Sequence, residues 1–150
     1  MPARDRTLPG AVLFACSRNM VRSPMAEGLM RRRFGAQCYV RSCGVRPGEP
    51  VDPLACEVMD ELGVDIRAHR PQTFVEVEDE GFDLIVTLAP EAHHRALEYT
   101  RRLAIEVEYW PCFDPTVMEG SREQRLSEYR AVRDTLDRRI GERFERPLAP

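Results

Sequence analysis

The chain has 150 residues, 43% hydrophobic and 31% charged, the balance of one soluble globular domain rather than of a disordered or membrane protein. All 22 basic residues are arginine; without lysine there is no Schiff base, no Walker-type lysine on a nucleotide phosphate and no lysine base. Twenty-five carboxylates outnumber those arginines and leave a formal charge of −3, which argues against a general nucleic-acid binder.

Residues 1–10 are polar and proline-containing, without the apolar core of a signal peptide, and are expected to form a flexible extension to a single domain. No apolar run approaches bilayer length, so no membrane partner is expected. Five cysteines, at 16, 38, 43, 56 and 112, form no Cys-x-x-Cys and no metal-type spacing. That argues against a disulfide framework or a zinc site and for a reducing cytoplasm. Neither a metal nor another cofactor is expected.

The first element is the apolar run Ala11-Val12-Leu13-Phe14-Ala15, which suits a central parallel strand covered on both faces. Ser23-Pro24 then has the form of a helix N-cap and first residue, with Met25, Leu29, Met30 and Phe34 on one face and Arg31, Arg32 and Arg33 as a solvated C-terminal end. Residues 37–42 predict a second strand. Asp52-Pro53 opens a helix with Leu54, Val58 and Leu62 inward and Gly63 as its stop. Residues 83–88 predict a strand and residues 90–98 a helix, with His93 and His94 as surface residues. Residues 105–110 predict an edge strand with one wet face. Leu126, Tyr129, Val132, Leu136 and Ile140 mark the last helix. Strands alternate with helices throughout. The expected fold is α/β: a four-stranded parallel sheet with helices on both faces and a ligand site beyond the carboxyl ends of the strands.

The loop at that end of the first strand reads Cys16-Ser17-Arg18-Asn19-Met20-Val21-Arg22-Ser23. Successive amides of a tight strand-to-helix loop form a nest for a tetrahedral oxyanion, and the helix dipole adds positive potential there. Arg22 can hold two anion oxygens in its planar fork. The same field favours Cys16 as a thiolate. Ser23 is placed to donate a hydroxyl hydrogen bond to that sulfur, and Asn19 tolerates a left-handed turn conformation. Together these are the parts of a covalent phosphoryl acceptor inside an anion cradle, with Ser17, Arg18, Asn19, Met20, Val21 and Ser23 around the substrate. Asp114 follows the last strand, so its loop falls at the same sheet end. A carboxylic acid there can protonate a leaving alkoxide or phenoxide and then take a proton from water; Asp-Pro is also an ordinary turn signal.

Residues 12–16 and 22–27, with residues 42–44, Gly48-Glu49-Pro50, residues 63–66, His69-Arg70, residues 83–88, Trp110 and Asp114-Pro115, closely resemble the low-molecular-weight protein tyrosine phosphatases. They resemble equally the arsenate reductases that share this flavodoxin-like fold. The resemblance implies Cys16 as nucleophile, Arg22 as phosphate clamp, Ser23 as thiolate donor and Asp114 as general acid, acting on a phosphoprotein or a small phosphomonoester. Four departures stand out. Val21 replaces the cysteine that shields the nucleophile in many tyrosine phosphatases, and Arg18 stands where a small residue is usual. Thr116 takes the place of an aromatic that flanks the substrate ring. Ala89 and Ala96 occupy the positions of the two further cysteines of the thioredoxin-coupled reductases. The expected activity is phosphomonoester hydrolysis, on protein phosphotyrosine. The alternatives are single-cysteine arsenate reduction with a small thiol and a non-catalytic oxyanion-binding module. Cys112 reads either as a packed thiol or as a redox partner for Cys16.

Overall fold

The computed structural model describes residues 8–46 and 48–145; most of the expected flexible extension, residues 1–7, lies outside the described residues. The core is organised around β1 (Ala11–Cys16), whose six residues are all buried. Val12, Phe14 and Cys16 enter one apolar cluster, and Ala11, Leu13 and Ala15 the other. A strand with both faces covered has no polar position to spare, which is why the run is continuous rather than alternating. Each large side chain buried this way removes enough apolar surface to be worth about 1.5–3 kcal/mol.

β1 pairs in parallel with β2 (Tyr39–Gly44) on one side and β3 (Leu84–Thr87) on the other, and β4 (Glu106–Tyr109) closes the sheet in the order β2-β1-β3-β4. On one face lie α1 (Arg22–Phe34), α2 (Pro53–Asp60) and α4 (Arg122–Phe144), through Met25, Leu29, Met59, Leu126, Tyr129 and Leu136. α3 (Pro90–Tyr99) covers the other face with Ala92 and Ala96, beside Val77 of a 3-10 turn (Val75–Val77) that the sequence pattern did not reveal and Phe74, which precedes it. The chain leaves β1 toward β2 and later returns to β1's opposite side as β3. The connections therefore diverge at the β1/β3 boundary, the place where open sheets of this kind bind ligands beyond the strand ends.

The helix ends are set by local chemistry. Asp52 caps α2 by accepting from the Leu54 amide at 2.8 Å, and the Tyr129 hydroxyl donates to its other oxygen at 2.8 Å, tying the cap to α4. Gly63, at φ +73°, ends the following turn in the conformation glycine adopts most easily. Ser121 and Gln124 form a capping box on α4.

Five details differ from the expectations. β2 runs two residues later than predicted, because the Gly44 amide is held by the Gln72 carbonyl at 2.7 Å. α1 begins at Arg22, not after Ser23, and Val21 at its cap offers no side-chain acceptor; Ser23 is buried and turned toward Cys16 instead. The arginines ending α1 are not simply solvated: Arg33 grips Asp137 of α4 at 3.0 and 3.3 Å, and Arg31 donates to the Val40 carbonyl at 2.8 Å. His93 is packed rather than superficial, stacked on Tyr109 at 4.7 Å and hydrogen-bonded to Thr87 Oγ1 at 2.9 Å. The wet face expected for β4 is partly covered, since Arg143 of α4 donates to Glu108 at 2.8 and 3.1 Å.

Candidate active site

Cys16 ends β1 with only 3% of its surface exposed. Its Sγ lies 2.9 Å from Ser23 Oγ and accepts the Asn19 amide at 3.3 Å. Ser23 Oγ accepts from Asn19 Nδ2 at 2.8 Å, so its single proton is free to go to the sulfur or to the Cys43 carbonyl at 3.3 Å. A negatively charged sulfur takes that proton in preference, because hydrogen bonds to ionised acceptors are the stronger ones.

The loop wraps tightly because of Asn19 and two glycines. Asn19 is fully buried at φ +60°, the left-handed region that asparagine tolerates through local hydrogen bonds. Its Nδ2 also donates to Ser42 Oγ at 3.0 Å, and its Oδ1 accepts from the Gln72 amide at 2.9 Å and faces His69 Nε2 at 2.9 Å. An amide oxygen only accepts, so His69 Nε2 carries the proton. Behind it, His69 Nδ1 stands 3.7 Å from Glu27. Burial pushes the Glu27 carboxyl above its ordinary value and the His69 imidazole below. On the other side, a Cβ at Gly44 would come within 2.8 Å of the Arg18 carbonyl carbon, and one at Gly48 within 2.3 Å of the Arg18 oxygen. These glycines leave the room that the loop backbone needs.

Arg22 is 8% exposed. Its Nη1 donates to the Cys112 carbonyl at 3.0 Å, its Nη2 reaches Ser17 Oγ at 3.4 Å, and Nη2 stands 3.9 Å from Asp114 Oδ2. Asp114 Oδ1 is turned aside to accept from the Thr116 amide at 3.0 Å and hydroxyl at 2.7 Å. Its other oxygen is left toward Arg22. Cys112 packs against the same apolar cluster as Cys16, and burial pushes its thiol up to about 11. Leu88 separates the two cysteines: its amide bonds Ala15 at 2.8 Å, and its carbonyl accepts from the Cys112 amide at 3.1 Å. Cys112 is a partly buried thiol packed against that cluster.

The structure brings Cys16, Ser17, Asn19, Arg22, Ser23 and Asp114 together at the carboxyl end of β1. Met20 and Val21 face inward at the loop's end; the Met20 carbonyl holds the Asp52 amide at 3.1 Å and Val21 is buried. Arg18 is exposed. Among the described residues no three histidine, cysteine or acidic side chains cluster as metal ligands, and no helix is long and apolar enough to cross a membrane.

The profile of the low molecular weight phosphotyrosine protein phosphatases matches residues 11–146. The chain belongs to this family. An arsenate reductase of Halalkalibacterium halodurans is 32% identical over 86% of the chain and 91% of its own length. Among solved structures, a low molecular weight protein tyrosine phosphatase from T. tengcongensis is 27% identical with a TM-score of 0.75, covering 88% of this chain and 95% of that one. An arsenate reductase in its phosphate-binding state is likewise 27% identical, with a TM-score of 0.72 over 88% and 94% of the two chains. The family's fold is the four-stranded parallel arrangement described above, and its members include cysteine-based phosphatases and arsenate reductases.

The residues that hold this loop from behind carry no chemistry in the sequence pattern. Ser42 comes from β2, Glu27 from α1, and His69 and Gln72 from one loop, and nothing in their spacing brings them together behind Asn19. Phe113, the chain neighbour of Asp114, is half exposed.

Proposed function

We propose that the protein hydrolyses phosphomonoesters, preferentially phosphotyrosine in proteins, through a phosphocysteine on Cys16. The observation that carries this reading is the convergence at one sheet end of a sulfur held by Ser23 and Asn19, a guanidinium, and a carboxylate 3.9 Å from that guanidinium. Cys16 Sγ attacks phosphorus in line with the leaving oxygen. Arg22 and the amides of the loop hold the equatorial oxygens, and α1's first turn has no competing side-chain cap. Asp114 gives its proton to the leaving oxygen, then takes one from the water that cleaves the S–P bond. The half-exposed Phe113 ring offers an aryl leaving group an apolar surface next to the acid.

Arsenate reduction is the second reading, favoured by the near full-length likeness to arsenate reductases such as that of H. halodurans. Against an internal thiol cascade stand Ala89 and Ala96, both buried in the α3 face of the core where the reductases' further sulfurs would sit. A reductase made from this chain would borrow an external thiol.

The deciding experiment assays aryl phosphate hydrolysis and thiol-dependent arsenate reduction side by side. Hydrolysis is expected in the wild type and absent in Cys16→Ser. Asp114→Asn should slow poor leaving groups most, by roughly 10²–10⁴-fold, the usual worth of a general acid. Arsenate-dependent thiol oxidation without aryl phosphate turnover would overturn the proposal, as would hydrolysis that survives in Cys16→Ser.

A further inference from the structure

Arg18 lies two residues from the nucleophile yet takes no part in holding the loop. Its peptide is pinned against Gly44 and Gly48, where a Cβ would come within 2.8 and 2.3 Å of it. With the backbone held on that side, the side chain projects into solvent, where it is exposed. The other guanidiniums of this region are occupied. Arg22 serves the Cys112 carbonyl and Ser17 and approaches Asp114. Arg46, whose amide is bonded to the Ser17 carbonyl at 3.1 Å, is paired with Glu91 at 2.9 Å. Arg18 has no carboxylate within ion-pair distance among the described residues, unlike its neighbours Arg22 and Arg46.

An oxyanion in the loop already has Arg22 and the loop amides. A second guanidinium facing outward is therefore available to a different anion, presented by whatever the phosphoryl group is attached to. Its planar fork matches a carboxylate. The flexible arginine stem reaches residues adjacent to the one being dephosphorylated, since successive residues of an extended peptide stand only about 3.3–3.6 Å apart.

Building on the hydrolytic reading above, we infer that Arg18 is a specificity-determining residue that selects phosphotyrosine flanked by acidic side chains within two positions. The residue binds the carboxylate and leaves the chemistry at phosphorus to Cys16, Arg22 and Asp114.

The test uses three matched phosphotyrosine peptides with acidic, amide or lysine flanks, and reads the ratio of kcat/KM between peptides within each variant. In the wild type the acidic peptide should exceed the amide peptide by roughly two- to fivefold at low salt, as a surface ion pair allows, and the ratio should shrink as salt is raised. Arg18→Gln should bring the ratio near one, Arg18→Lys should keep only part of it, and Arg18→Glu should invert it in favour of the lysine peptide. Because each ratio is internal to one variant, a general loss of activity from a disturbed loop does not mask the result. A wild-type ratio of one, or a preference that survives in Arg18→Gln and Arg18→Glu alike, overturns the inference while leaving hydrolysis standing. Failure of the wild type to hydrolyse any of the peptides overturns the hydrolytic reading and this inference with it.

Discussion

Asn19 offers a quantitative test of how the loop is held. Replacing it by glycine keeps a residue that is comfortable at φ +60° but deletes the side chain's bonds to Ser23, Ser42, Gln72 and His69. Ser23 retains Cys16 and the Cys43 carbonyl as partners, whereas the Gln72 amide is stripped of its acceptor. Each donor or acceptor left unsatisfied costs about 1–3 kcal/mol, so Asn19→Gly should lose about 3 kcal/mol in all. Asn19→Ala loses the same bonds and also forces a Cβ into the left-handed region, adding about 1 kcal/mol. For a domain of this size with a urea slope near 2 kcal/mol/M, the midpoints should fall by roughly 1.5 M for glycine and 2 M for alanine. Trp110, buried against Phe14 and Phe144, provides the fluorescence signal. Aryl phosphate turnover should drop about tenfold or more in both, since small misplacements of reacting groups are costly. A loss below about 1 kcal/mol in either variant, or an alanine variant at least as stable as the glycine one, would show that Asn19 does not hold the loop in this way.

Three further outcomes follow from the same geometry. Gly48→Ala puts a methyl 2.3 Å from the Arg18 oxygen; the loop must shift, so phosphate protection against thermal unfolding should weaken, and an unchanged phosphate-induced rise in Tm would contradict this. Glu27 is protonated more readily in the folded protein than in the unfolded chain, so the native state holds the extra proton and stability is lost as pH rises from about 4.5 through the raised value. Glu27→Gln should remove that component, so the difference in ΔG between variant and wild type, followed by urea unfolding from pH 4 to 8, should move in the variant's favour as pH rises. Burial raises the thiols of Cys38, Cys43, Cys56 and Cys112. At pH 8 these four should alkylate more slowly in the native protein than in urea, and mild peroxide should yield no Cys16–Cys112 peptide on mass mapping of the folded chain.

Much of the architecture is legible from local pattern. An apolar run with no alternation means a strand covered on both faces, and β1 is that strand. Asp52-Pro53 and the stripe from Leu126 to Ile140 carry enough capping and periodicity to mark α2 and α4. The order of strands and helices then implies parallel pairing, and with it the strand end where Cys16, Arg22 and Asp114 had to meet. Those three are legible because their chemistry is written in residue types at short spacing or just after a strand.

What surrounds them is not. Ser23 looks like a helix cap in any window of sequence, and only the fold reveals that its hydroxyl lies 2.9 Å from a sulfur seven residues earlier. His93 and Arg33 look solvated until Tyr109 and α4 are brought against them. Asn19 is held by Ser42, His69 and Gln72, partners 23 to 53 residues away. Hydrogen bonds of that separation leave no trace in periodicity or propensity, because they come into being only when packing carries distant segments to the same place. Composition and local spacing pointed to the groups proposed for the chemistry; their orientation, and the exposed guanidinium of Arg18 beside them, were decided by the tertiary contacts that pin the loop from behind.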